Sequence, residues 1–277
     1  MDISFLESTA LQMRRDILTM IAEAGSGHPG GSLSCIDILC ALYFGDVLDY
    51  DAAAPQKEGR DRFILAKGHA APALYATLAR AGFFPVDELL TLRKLGSRLQ
   101  GHPDPQLCPG VEVSTGSLGQ GLSVGCGLAC GLRLNEEDGC VFVLLGDGEC
   151  EEGQVWEAAM FAAHQRLGNL IAIVDGNGLQ IDGHVSEVCD PADIPEKFRA
   201  FGWQVSQVDG HDLGALVRVL GEAKAAGGDA PHLIYAHTIK GKGVSFMEDV
   251  AGWHGKAPDA DQLAQALAEL DACEVTV

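Results

Sequence analysis

Apolar side chains recur along the chain with two spacings, one typical of amphipathic helices and the other of buried strands. Residues 5–24 place apolar side chains at helical intervals, with Arg14, Arg15 and Asp16 on the polar side, and the pattern ends near Gly25. Further helices are predicted over 34–44, 70–81, 122–134, 154–165, 213–226 and 259–272. Short apolar runs predict strands over 62–66, 141–145, 170–174, 203–208 and 232–238.

The order of these segments predicts an α/β fold. A strand, a helix and a second strand follow one another between residues 141 and 174, and helix and strand continue to alternate up to residue 238. Such alternation is typical of a mainly parallel sheet with helices on both faces. The chain shows no internal repeat and no long linker, so we expect residues 1–277 to form a single domain.

The charge of the chain limits its partners. The 39 Asp and Glu residues outnumber the 19 Lys and Arg residues, which gives a formal charge of −20. Such a surface repels nucleic acid and anionic membranes, so neither is expected as a partner. A phosphate-bearing ligand would therefore need a focused local site or a metal ion. The 35 glycines are dispersed among 47% apolar residues, as in close-packed α/β enzymes.

The cysteines and the N-terminus suggest the compartment. The nine cysteines include no C-x-x-C pair, so reduced thiols are expected rather than a disulfide framework or a zinc site. The N-terminal residues lack a charged segment followed by an unbroken apolar run. Nowhere does an apolar run reach the length of about 18 residues that a membrane helix needs. We therefore expect a cytoplasmic protein.

Two polar motifs directly follow strands of the central strand–helix–strand unit. Gly146-Asp147-Gly148 follows the strand over 141–145, and Asp175-Gly176-Asn177 follows the strand over 170–174. Parallel strands joined by right-handed crossovers end at one edge of the sheet, where ligands usually bind. One carboxylate and one amide oxygen could thus converge on Mg²⁺, which prefers oxygen ligands and commonly also binds substrate phosphate. A simple turn at each motif is the alternative interpretation.

The segment from Gly146-Asp147-Gly148 to Asn177 resembles the metal and diphosphate signature of thiamine-diphosphate enzymes, including its spacing. The resemblance implies that thiamine diphosphate and Mg²⁺ bind here, with Ca²⁺ or Mn²⁺ as substitutes for the metal. By the same resemblance, Asp147 and Asn177 are side-chain ligands of the metal. Leu179 offers its backbone carbonyl, and Gly146 and Gly148 lie against the cofactor.

Further motifs extend the resemblance to transketolases over nearly the whole chain, in the same order. They are Ser26-Gly27-His28-Pro29-Gly30, Lys67-Gly68-His69-Ala70, Gly101-His102-Pro103 and Ser114-Thr115-Gly116-Ser117-Leu118-Gly119-Gln120-Gly121. Near the end, Trp253-His254-Gly255-Lys256-Ala257-Pro258 resembles the form found in N-terminal subunits of split, two-chain transketolases. The order of the motifs carries more weight than any one of them.

Four histidines lie in these glycine-flanked loops. A lone histidine is more often structural, but four in such loops weigh against that interpretation. Imidazole can donate to sugar hydroxyls and exchange protons near neutral pH. The resemblance implies that His28, His69, His102 and His254 surround the reactive carbon of the cofactor and the hydroxyls of the donor sugar, with His69 also a cofactor contact.

The glycine-rich run over 116–121 could also be compared with dinucleotide-binding loops. That fingerprint follows a strand, whereas residues 111–114 make a poor strand, and Gly121 and Gly125 are one residue too far apart. We therefore do not expect a dinucleotide. The resemblance to transketolases implies instead that Gly116 and Leu118 lie near thiamine diphosphate, although Ser117 stands where many transketolases have proline.

Charged residues near the motifs allow two interpretations. Glu152 and Glu157 lie at the start of a predicted helix, where acids interact favourably with the helix dipole. The resemblance places them instead at a subunit interface, where they link the cofactor sites of two subunits through shared protons. Lys240 and Lys242 follow a predicted strand and either face a phosphate or are solvated.

Thiamine-diphosphate chemistry needs a carboxylate that activates the aminopyrimidine ring of the cofactor. In transketolases this carboxylate belongs to a second, pyrimidine-binding domain. The predicted elements leave no room for that domain within 277 residues, so we expect it on a partner chain, a C-terminal transketolase subunit. The resemblance implies a heterotetramer of two such chains and two partner chains, active only when assembled.

The expected activity is the transfer of a two-carbon ketol unit from a ketose to an aldose, with sugar phosphates as substrates. The alternatives are a subunit of a 1-deoxyxylulose-5-phosphate synthase-like enzyme, a 2-oxoacid decarboxylating component, and a non-catalytic regulatory relative, because the first two share the same signature. The histidine motifs favour transketolase. The sequence leaves the donor and acceptor sugars open.

Overall fold

Five parallel strands form the centre of the protein. The computed structural model describes residues 2–274, the last of them by its backbone alone. The strands are β1 (Arg62–Leu65), β2 (Val141–Gly146), β3 (Leu170–Gly176), β4 (Gln204–Asp209) and β5 (His232–His237). They lie side by side in the order β1-β2-β3-β5-β4, and each neighbouring pair is parallel. The predicted parallel α/β sheet is confirmed.

Helices connect the strands and cover the sheet. They are α1 (Ile3–Ala24), α2 (Pro29–Phe44), α3 (Ala71–Arg80), α4 (Gln120–Leu134), α5 (Gly153–His164), α6 (Val185–Val188), α7 (Ile194–Ala200), α8 (Leu213–Ala226) and α9 (Ala260–Glu274). The sequence pattern predicted seven of these segments, and it missed the short α6 and α7. None of the described helices is long and apolar enough to cross a membrane.

Two apolar cores lie on opposite faces of the sheet. One contains buried side chains of α1, α2, α3, α8 and α9, and the other contains those of α4, α5 and α7. Alternate strand residues supply the two cores, since side chains point to opposite faces along a strand. In β2, for example, Leu144 belongs to the first core and Val143 to the second. The predicted cover of helices on both faces is confirmed.

Helix α2 begins five residues before the predicted start and lies inside the first core. Pro29 occupies its first turn, where a fixed φ suits a helix and the missing amide is not needed. Every residue of α2 from Pro29 to Tyr43 is buried. A helix that is buried on all sides has no polar stripe, so the spacing of its apolar residues does not show where it starts. The early start places His28 directly at the N-terminus of this buried helix.

Glycines on helix α4 face the sheet and permit a close approach of the helix to it. A Cβ atom at Gly121 would lie 2.4 Å from the Cβ atom of Ala66, and one at Gly125 would lie 2.5 Å from Cγ2 of Val143. Gly127 lies on the same helix, but a Cβ atom there would have no neighbour within 4 Å. Gly125 and Gly127 are therefore a buried and an exposed glycine on the same helix, which can be compared.

We expect Gly125→Ala to lower the free energy of unfolding of the purified chain by about 1–3 kcal/mol, because the added methyl group overpacks the contact with Val143. Gly127→Ala is the matched control, and it should be neutral or stabilising by about 0.5–1 kcal/mol, since alanine suits a helix better than glycine. Urea denaturation measures both. Equal stabilities of the two variants would contradict the proposed close contact.

Candidate functional site

A cleft opens at the carboxyl ends of β1, β2 and β3. Its volume is about 320 Å³. Strand β2 ends at Gly146, directly before Asp147, and β3 ends at Gly176, directly before Asn177. Because neighbouring parallel strands end at one edge, the two polar motifs meet in this cleft, as their positions in the sequence predicted.

Hydrogen bonds hold the two motifs against each other in the cleft. The Asp147 carboxylate accepts from the amide of Gly148 at 2.8 Å and from the amide of Gly178 at 2.5 Å. The Asn177 side-chain oxygen accepts from the amide of Leu179 at 3.1 Å. The loop after β3 is thereby tied to the loop after β2, and Asp147, Asn177 and Leu179 all line the cleft.

The Asp147 carboxylate is placed where a cation would stabilise it. Asp147 is only 5% exposed. Burial, together with the negative charge of Asp175, raises the pKa of the Asp147 carboxyl group to about 6. In the described part of the chain, no group of three or more His, Cys, Asp or Glu side chains could hold a metal ion by itself. An ion at Asp147 would therefore need neutral protein oxygens or ligand oxygens to complete its shell, as Mg²⁺ commonly does.

The four predicted histidines form one cluster in the same cleft. The ring centre of His28 lies 5.4 Å from that of His69, 6.4 Å from that of His102 and 5.4 Å from that of His254. The rings of His69 and His254 are 4.9 Å apart. Loops far apart in the sequence thus bring four imidazoles together, in agreement with the sequence-based expectation of a shared site.

Glycines permit the close approach of these loops. Gly116 has a φ of 134°, and a Cβ atom there would lie 2.6 Å from Cδ2 of His102. A Cβ atom at Gly68 would lie 2.6 Å from the amide nitrogen of Gly116. A larger residue at Gly68 would meet backbone atoms, which cannot move aside easily, and one at Gly116 would displace the His102 ring.

All four imidazoles are held in the neutral form near pH 7. Burial, with the positive charge of Arg93 second, lowers the pKa of His28 to about 4. Burial and the charge of Lys240 lower the pKa of His254 to about 3. The pKa values of His69 and His102 are lowered by burial and by a nearby cation, which is Lys67 for His69. Neutral imidazole can both donate and accept a hydrogen bond.

Lys240 and Lys242 have different surroundings, which the sequence did not distinguish. Lys240 is 2% exposed and lines the cleft, where its ammonium group donates to the Leu179 carbonyl at 3.1 Å and contacts Nδ1 of His254 at 3.0 Å. Burial and the charge of Lys67 lower its pKa to about 8. Lys242 lines a separate cavity beside α1 and lies 3.6 Å from Glu248.

Nearly all of the predicted site residues line this single cleft. They are His28, His69, His102, Gly116, Leu118, Gly146, Asp147, Gly148, Glu152, Asn177, Leu179 and His254. Glu157 is not among the lining residues and lies exposed on α5. The Asp147 and Asn177 motifs and the histidine cluster therefore belong to one site.

Several residues at the cleft were not predicted as functional. Lys67 and Asp175 form a buried ion pair beneath it, and Glu149 accepts from the amides of Gly119 and Gly146, both at 3.0 Å. Lys67 and Asp175 lie within motifs that the sequence analysis identified, so their positions in the sequence could have indicated a role at the site. Arg93 lies in no motif. Its positive charge lowers the pKa values of His28 and His102, and this effect connects it to the site.

Comparison with known proteins agrees with this geometry. A family model described as "Transketolase, thiamine diphosphate binding domain" matches residues 7–272. One of the subunits of the apulose-4-phosphate transketolase of Phocaeicola vulgatus is 41% identical over 98% of this chain and 95% of its own length. The 6-deoxy-6-sulfo-D-fructose transketolase subunit SqwG of Clostridium sp. (strain MSTE9) is 42% identical over 96% of each chain.

Longer transketolases match over part of their length. The chain is 42% identical to transketolase of Homo sapiens and covers 42% of that protein. The crystal structure of transketolase from Campylobacter jejuni superposes with a TM-score of 0.91 at 31% identity, over 98% of this chain and 43% of that one. The fold, the order of the motifs and these similarities agree, and this chain belongs to the transketolase family.

Proposed function

We propose that this chain binds thiamine diphosphate and Mg²⁺ and, together with a partner chain, transfers a two-carbon ketol unit from a ketose to an aldose. The observation that carries the proposal is that one cleft is lined both by Asp147 and Asn177, which we call its metal end, and by four neutral imidazoles, which we call its substrate end. A cofactor with a charged diphosphate and a distant reactive carbon needs both ends at once.

The residues at the metal end of the cleft fit a metal-bound diphosphate. Asp147 and Asn177 would hold Mg²⁺ through their side chains, Leu179 through its carbonyl, and Ca²⁺ or Mn²⁺ would substitute. The cationic Lys67 and Lys240 supply positive charge in a protein that is otherwise strongly acidic. Thiamine diphosphate, when bound, would supply a nucleophilic carbon and take up electrons during carbon–carbon cleavage.

The four histidines fit the substrate end of the cleft. Nδ1 of His28 is buried and has no hydrogen-bond partner among the described residues, so a bound ligand could satisfy it. We assign His28, His69, His102 and His254 to the substrate end, where their neutral rings would orient sugar hydroxyls and move protons. Gly116 and Leu118 would lie against the cofactor beside them.

A partner chain is part of the proposal. The two relatives named as subunits are covered almost to their full length, whereas human transketolase is covered by 42%. We propose that residues 1–277 form the diphosphate-binding domain, that a C-terminal subunit supplies the pyrimidine-binding domain, and that two copies of each form a heterotetramer. We further propose that the complex works in the cytoplasm on sugar phosphates, a class that includes the substrate named for the Phocaeicola relative.

The exposed face of α4 and α5 supports such an assembly. Val124, Met160 and Phe161 are 38%, 57% and 44% exposed on these adjacent helices. Large exposed apolar side chains on neighbouring helices are typical of a protein interface. Glu157 is exposed on the same α5, and Glu152 precedes this helix at the edge of the cleft. We propose that both glutamates link two cofactor sites across the interface.

Asp147→Ala should abolish Mg²⁺-dependent binding of thiamine diphosphate by the reconstituted complex, because it removes the charged ligand of the metal. Calorimetry with the cofactor in the presence of Mg²⁺ measures the loss. Asp138→Ala, which changes an exposed aspartate, is the control and should bind as the wild-type protein does. An unchanged cofactor affinity of the Asp147 variant would remove Asp147 from the metal site.

The purified chain alone should show no ketol transfer at any cofactor concentration, because the activating carboxylate would belong to the partner. Adding the C-terminal subunit should produce activity together with a larger assembly, which steady-state kinetics and light scattering detect. The gene neighbouring this one is the first place to look for a partner of about 300 residues, a usual size for such a chain. Robust turnover by the isolated chain would refute this division of labour.

His102→Ala should lower kcat/KM for a ketose donor by roughly ten- to a thousandfold, the range for losing one positioned hydrogen-bonding or acid–base group. The affinity for thiamine diphosphate should hardly change, because the metal end of the cleft is intact. His237→Ala is the control, since His237 is exposed and its ring contacts Gln207. Normal kinetics would make His102 structural, and a loss of cofactor affinity alone would move it to the diphosphate end.

A further inference from the structure

Asp175 is the most enclosed charged group of the site. Its exposed fraction is 0%, and its carboxylate accepts from the Lys67 ammonium group, from the Thr238 hydroxyl and from the Ser34 hydroxyl, the last at 2.6 Å. All three neighbours donate to it, so the carboxylate serves as an acceptor in this network.

The side-chain amide of Asn177 lies against this group with a defined orientation. Its nitrogen lies 3.3 Å from the Ser34 hydroxyl oxygen and 3.4 Å from an Asp175 carboxylate oxygen. Its oxygen accepts from the Leu179 amide at 3.1 Å. Reversing the amide would place the oxygen against a carboxylate and the NH₂ group against an N–H donor. Both contacts would then be repulsive, so the chemistry of the neighbours fixes the orientation.

We propose that Ser34 and Asp175 are positioning residues, which hold the Asn177 amide so that its oxygen and not its nitrogen is presented to the divalent cation. The inference rests on the proposed function, because it concerns the residue that would bind the metal. It adds a role for α2 and for the buried ion pair. Metal ions bind the amide oxygen and not the NH₂ group, so the orientation decides whether Asn177 can act as a ligand.

The Ser34 hydroxyl connects the two partners. It donates to Asp175, and its oxygen is then free to accept from Asn177. Residues that orient a metal ligand in this way typically change metal affinity by about 10–100-fold when they are removed. Because the weaker contact between Asn177 and Asp175 would persist, we expect the loss of the hydroxyl to lie at the lower end of that range.

Ser34→Ala is the sharpest test, since changes at Asp175 or Lys67 would leave the other charge buried and unpaired. The assembled enzyme is titrated with Mn²⁺ at a fixed excess of thiamine diphosphate, and free Mn²⁺ is followed by electron paramagnetic resonance. We expect the variant to bind Mn²⁺ about tenfold more weakly than the wild-type enzyme. At saturating Mn²⁺, kcat should return to within about twofold of the wild-type value, because the chemical groups are unchanged.

Thr77→Val is the matched control. It removes another fully buried hydroxyl, which bonds to the Ala73 carbonyl within α3, and it should leave Mn²⁺ affinity unchanged. Ser34→Cys, with a near-isosteric but weaker hydrogen-bonding group, should give an intermediate loss, and it carries the same test if the alanine variant does not fold.

The possible outcomes separate this inference from the proposed function. Wild-type Mn²⁺ affinity in both Ser34 variants would overturn the inference and leave the proposed function standing. A wild-type complex that binds no Mn²⁺ would overturn both. A loss of kcat that saturating Mn²⁺ does not restore would also overturn the inference, because it would indicate a general structural role for Ser34.

Discussion

The buried ion pair between Lys67 and Asp175 is the interaction on which the site depends. Lys67 follows β1, Asp175 lies at the end of β3, and the same carboxylate accepts from Ser34 on α2 and from Thr238 after β5. Taking two charges out of water costs several kcal/mol per ion, which is recovered only when both are paired and hydrogen-bonded. The pair therefore requires these four segments to meet at one point, and the cleft forms directly above it.

The alternation of side chains along the strands explains why this polar group lies beneath the cleft. Leu65, Leu144 and Ile173 occupy the same level of β1, β2 and β3, and all three belong to the first core. Lys67 and Asp175 follow two residues later, so they continue the same face at the edge of the sheet. The Lys67–Asp175 ion pair thus lies on the same face of the sheet as the first core, between that core and the cleft.

This arrangement also explains what could be predicted from the sequence. Strands, helices and the two strand-end motifs were accessible because apolar spacing is a local property, as for α8, whose bounds were predicted correctly. The pairing of Lys67 with Asp175 was not, because it depends on the register of three strands. Arg93 left no local signal either. Its backbone has a φ of 60°, and its guanidinium packs against Gly101, which only the folded loop determines.

Cations at the site add to burial in keeping its histidines neutral. The protein is acidic as a whole, yet Lys67, Lys240 and Arg93 all act on the histidine cluster and lower imidazole pKa values. The ammonium group of Lys240, while protonated, can only donate, so Nδ1 of His254 must accept and Nε2 must carry the proton. This contact therefore fixes the tautomer of His254, and together with burial it keeps the ring neutral. A neutral ring with a defined N–H can donate at pH values where an isolated histidine would be partly protonated.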